Sequence, residues 1–104
     1  MVERDKIESY AREVAEKFSP QKVLLFGSYA TGCATEDSDV DLLILMDYDG
    51  KASRKALEIR GSIRKDFPLD LIVQSPAEAR HRVSSGDPFM AEALSRGRIL
   101  YERS

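Results

Sequence analysis

Apolar residues recur along this chain in two rhythms. Between Val2 and Phe18, the positions Ile7, Tyr10, Ala11, Val14 and Phe18 fall three or four apart, with Glu, Lys and Arg between them. That spacing predicts an amphipathic helix closed before Pro20. Lys22 to Phe26 (KVLLF) is too short and too continuously apolar for a second helix, and reads as a strand covered on both sides. Val40 to Met46 (VDLLILM) is the most apolar run and reads as a central strand, and Leu69 to Gln74 (LDLIVQ) as a third. Ala56, Ile59, Ile63 and Phe67 return to helical spacing, which predicts a helix from Ala52 to Phe67 stopped by Pro68.

The joints carry their own signals. GSYATGCATEDS, between the first two strands, predicts a tight turn with room for one helical turn. Ser75 before Pro76 has the form of a helix N-cap followed by proline at the first helical position. Asp87-Pro88 opens a further helix to Arg96, Gly97 caps it, and Arg98 to Tyr101 forms a last strand. Helices alternating with short strands predict an α/β (α+β) fold, a small mixed sheet flanked by helices, with residues 1–104 forming a single domain.

Composition narrows the function classes. Apolar residues are 42% of the chain and charged residues 33%, as in globular proteins rather than disordered ones. A net charge of −2 from 16 basic and 18 acidic residues lacks the positive field of a general nucleic-acid binder. The basic cluster Lys51, Arg54, Lys55, Arg60, Arg64 and Lys65 is broken by Glu58 and Asp66, and reads as a solvated helix face. Cys33, the only cysteine, allows no intrachain disulfide, and the charged start MVERDKIESY has no membrane-spanning or signal-peptide run. The expectation is a cytoplasmic protein without membrane association.

The chemistry gathers at three places. Asp39 and Asp41, two apart at the mouth of a strand, point to the same face. Like charges beside an apolar run repel and lose hydration, and no Lys or Arg lies between Lys22 and Lys51 to offset them. A divalent cation with hard oxygen ligands, magnesium, is the natural counter-charge. Asp70 repeats the pattern at the third strand, so that three carboxylates could hold two metals and serve phosphoryl or nucleotidyl transfer. Gly27 allows a sharp turn and Ser28 opens a short helix, a cradle for phosphates. The alternate acids Asp37, Asp39 and Asp41 do not make a calcium loop, because Leu42 stands where glycine is needed and Tyr48 where the bidentate Glu belongs. His81 and Cys33 receive no catalytic role.

Gly27-Ser28, ten intervening residues, and Asp39-Val40-Asp41 together resemble the signature of the minimal nucleotidyltransferases of the DNA polymerase beta-like superfamily. The likeness extends through PLDLIVQSP and the tail DPFMAEALSRGRILYER, and so covers most of the chain. It implies phosphate binding at Gly27 and Ser28, magnesium binding at Asp39 and Asp41, and a third catalytic and metal-binding carboxylate at Asp70. It also implies ATP or another nucleoside triphosphate as substrate, with the nucleotidyl group, AMP, passing to an acceptor hydroxyl. Tyr29 and Thr31 stand where the family often carries arginines. Minimal members often pair with a helical partner of the HEPN type as antitoxin to its toxin, and small domains of this kind often form homo-oligomers. Two functions stand side by side: an enzyme that modifies its partner, and a non-catalytic module that neutralises the partner by contact.

Overall fold

The computed structural model describes residues 1–104. Helix α1 (Arg4–Phe18) ends at Ser19, whose left-handed backbone (φ 47°) turns the chain into Pro20. Strand β1 (Lys22–Phe26) leads through the short helix α2 (Ser28–Thr31) to β2 (Val40–Leu45). Then follow α3 (Ala52–Ser62), β3 (Leu69–Gln74), α4 (Pro76–Ser84), α5 (Pro88–Arg96) and β4 (Arg98–Glu102). The sheet order is β3-β2-β1-β4, with β2 and β3 parallel and both β2 and β4 antiparallel to β1. The mixed sheet flanked by helices is the architecture that the alternating patterns predicted.

The sheet buries both faces, which is why its strands read as unbroken apolar runs. On one face Val23, Leu25, Leu42, Ile44, Leu71 and Val73 pack with Ile7 and Val14 of α1 and Ile59 of α3. On the other, Leu24, Phe26, Leu43 and Leu45 meet Ala79 of α4 and Met90 and Ala93 of α5. The caps read from the sequence are in place: Ser75 Oγ accepts from the Glu78 amide at 3.1 Å, and Asp87 Oδ1 accepts from the amides of Phe89 at 2.9 Å and Met90 at 3.2 Å.

One expectation is corrected. Helix α3 ends at Ser62 rather than Phe67, and Ile63 is already extended (φ −130°, ψ 125°). Gly61 weakens the last turn and Pro68 disfavours helix at the residue before it. Ile63 and Phe67 stay in the core all the same, while Asp66 is tied to Lys6 Nζ at 2.7 Å. Gly97 caps α5 as expected, its amide donating to the Ala93 carbonyl at 3.0 Å, with φ −68° and ψ 154°. A Cβ there would lie 2.3 Å from the Ala93 carbonyl oxygen, so glycine serves the close passage of β4 past the end of α5.

Candidate active site

Strand register sets the centre of the site. Asp41, at the start of β2, lies opposite Phe26 of β1 and opposite Asp70 of β3, so one row crosses three strands. Side chains alternate along a strand, and Asp41 therefore shares the α5 face with Leu43 and Leu45, as Asp70 does with Ile72. Asp39 stands one residue before β2, exposed, with the same parity.

Gly27 presses on this row. Its backbone (φ 73°, ψ −154°) occupies a region essentially reserved for glycine, and a Cβ there would fall 2.2 Å from Asp41 Oδ2. The turn is thus packed against a carboxylate and leads directly into α2 at Ser28. Partial burial, then the charges of Asp70 and Asp39, push the Asp41 carboxyl above its usual value. None of the three acids takes part in an ion pair. As the chain folds by itself, no three acids close around a single point tightly enough to cage a metal ion. The donor set fits magnesium in a different way: hard carboxylate oxygens, short of cations, at an open end of a sheet, where substrate phosphates and water would complete the coordination.

Sequence proximity suggested no cation near the Gly27-Ser28 turn, whereas the fold brings two arginines to it from the end of the chain. Arg98 Nε donates to the Ala30 carbonyl at 3.2 Å, across 68 residues of sequence, and so braces α2. Arg96 lines a cavity of about 250 Å3 beside the turn, together with Phe26, Gly27, Thr31, Phe89 and Glu92. Phe89, Glu92, Ala93 and Arg96 fall at helical spacing on one face of α5, so the signal was in the sequence, but only docking α5 on β1 aims it at Gly27. Tyr29, one of the departures from the family pattern, accepts from the Val2 amide at 3.0 Å and ties the start of the chain to α2. His81 and Cys33 are exposed and lie outside this arrangement.

A family model described as a nucleotidyltransferase domain matches residues 7–99. The chain belongs to that family. It is 41% identical over 107 residues to MJ0604 of Methanocaldococcus jannaschii, provisionally named a protein adenylyltransferase, with 97% of this chain and all of the relative covered. Over 48 residues it is 42% identical to the protein adenylyltransferase MntA of Thermococcus cleftensis, covering 42% of this chain and 48% of that one. A structure from Sulfolobus solfataricus, provisionally named a nucleotidyltransferase, superposes with a TM-score of 0.67 at 20% identity, over 95% of this chain and 79% of the other. These matches make the chain a nucleotidyltransferase with the fold of that group, of the minimal type that the Gly-Ser and paired-Asp signature resembles.

Proposed function

We propose that this nucleotidyltransferase moves AMP from ATP to a hydroxyl on a partner protein, using Gly27 and Ser28 for the phosphates and Asp39, Asp41 and Asp70 for magnesium. The observation that carries it is the packing of the Gly27 turn against Asp41, in register with Asp70 and with no counter-ion on any of the acids. The names of the relatives point to protein acceptors, and a toxin-antitoxin structure with AMP-PNP shares the fold at a TM-score of 0.52 and 20% identity, over 99% of this chain and 76% of the other. A HEPN-type toxin is accordingly the partner we favour.

Magnesium held at the three carboxylates would offset their repulsion and draw charge from the reacting phosphate. The remaining work falls to the chain. Gly27 admits the triphosphate close to the backbone, and the amides at the start of α2 face it. Arg96, at the wall of the neighbouring cavity, supplies the positive charge that Tyr29 and Thr31 lack. The acceptor oxygen forms its bond to the α-phosphorus as the bond to the bridging oxygen breaks. Pyrophosphate leaves with that electron pair, and Asp70 takes the hydroxyl proton.

The test uses ATP labelled on the α-phosphate, magnesium and a HEPN-type partner. Label should appear on the partner, and Asp39→Asn with Asp41→Asn should abolish transfer while the circular-dichroism spectrum stays unchanged. Neutralisation of the partner without any label would replace the enzymatic reading with the contact-only one, which the uncharged Tyr29 and Thr31 favour.

A further inference from the structure

Helix α3 and the free edge of β3 enclose a groove of about 520 Å3, separate from the carboxylates and lined mainly by Ala56, Leu57, Arg60, Leu71, Ile72 and Val73. Leu57 is 69% exposed, an apolar side chain held open to water at the lip. The floor carries unpaired backbone. In β3 the carbonyls of Pro68 and Gln74 accept from Val40 and Met46 of the β2 side, so alternate residues of β3 face β2, and Leu69, Leu71 and Val73 turn their N–H and C=O groups outward. No strand lies beyond β3. Arg60 donates to the Leu69 carbonyl at 2.7 Å and closes the edge there, one residue from Asp70, but Leu71 and Val73 have no such cover.

Charge selects the occupant. The groove is flanked by α3, whose exposed Arg54 lies beside Leu57 by helical spacing and whose N-cap is the exposed Lys51, neither in an ion pair. The one acid on α3, Glu58, is already paired with Lys55 at 3.0 Å. Lys51, Arg54 and Arg60 of the basic cluster therefore border an apolar trough with an open strand edge.

We infer that this groove docks an acidic, extended segment of the acceptor protein, which adds as a strand beside β3 through the backbone of Leu71 and Val73 and buries its apolar face against Ala56 and Leu57 of α3. Strand pairing ends where Arg60 closes Leu69, so the chain leaving the groove at that point passes Asp70 and carries its hydroxyl to the carboxylates. The inference rests on the protein-acceptor reading above and adds where the acceptor binds and what chemistry it presents.

The probe is a short synthetic peptide of alternating valine and glutamate with one tyrosine at its end, alongside a lysine-for-glutamate counterpart. Hydrogen exchange at single-amide resolution should show Leu71 and Val73 protected by the glutamate peptide and not by the lysine peptide. Arg54→Glu and Leu57→Glu, both at exposed positions, should each weaken binding about tenfold and leave Mg-ATP binding unchanged. Absence of binding, protection elsewhere, or an affinity in either variant equal to that of the parent chain overturns the inference. A dimer of the unliganded protein that Leu57→Glu converts to monomer overturns it too, since the edge then belongs to a second copy. Label transfer to the peptide tyrosine is read separately: binding without transfer counts against the enzymatic reading and leaves the docking surface standing, whereas transfer insensitive to both variants removes the docking surface alone.

Discussion

At Asp41 the proposed function and stability pull in opposite directions. Burial and two neighbouring acids hold its carboxyl above the usual value, so the folded chain binds that proton more tightly than the unfolded chain does. A raised carboxyl favours folding as pH falls through the raised value and burdens it at neutral pH, where the group is ionised in both states. Asp41→Asn should therefore raise the thermal unfolding midpoint at pH 8 without magnesium, abolish nucleotidyl transfer, and lose its advantage over the parent chain toward pH 4, all measurable by calorimetry across pH. A lower midpoint at pH 8 would mean that the charge is already compensated within the chain. The acids were legible in the sequence because two alternate at the mouth of an apolar run, a third repeats the pattern, and Gly27-Ser28 precedes them. Arg96 was not, because nothing local links it to Gly27, 69 residues earlier.

Among the elements, strands were easier to read than the ends of helices. KVLLF and VDLLILM admit no other regular structure, and the side-chain caps at Ser75 and Asp87 mark their helices chemically. The end of α3 was hidden because Ile59, Ile63 and Phe67 keep helical spacing and are all buried, although the last two reach the core from irregular backbone. Spacing reports which residues go inside, and it cannot by itself report the path between them. Gly97 was legible as the cap of α5, but the space that it must leave free was not. A methyl group there meets the Ala93 carbonyl at 2.3 Å and the Leu25 carbonyl at 3.2 Å, so Gly97→Ala must prise β4 from α5. Urea denaturation should register a loss of about 1–3 kcal/mol, the usual range for overpacking. Because Arg96 and Phe89 ride on the same helix, the KM for ATP should rise as well. Lost stability with an unchanged KM would disconnect the α5 cavity from the nucleotide.

In the whole molecule, the order β3-β2-β1-β4 gathers parts that are scattered in sequence: Gly27 after β1, Asp39 and Asp41 at β2, Asp70 at β3, and Arg96 and Arg98 where α5 meets β4. The strand patterns revealed the sheet, but not its order, and the order is what turns separate acids into neighbours. A site built from residues on so many elements exists only in the folded chain, so a ligand bound there must stabilise the fold. Mg-ATP at 100 times its dissociation constant should add about 2.7 kcal/mol to the unfolding free energy. Magnesium alone should give a smaller shift, since the acids do not cage a metal by themselves, and ATP with a chelator smaller still, since it would then meet uncompensated carboxylates. The Asp39→Asn, Asp41→Asn double variant should lose the magnesium-dependent part. Thermal shift measured over the four conditions separates these cases, and an equal shift with and without magnesium would show the nucleotide binding away from the three acids.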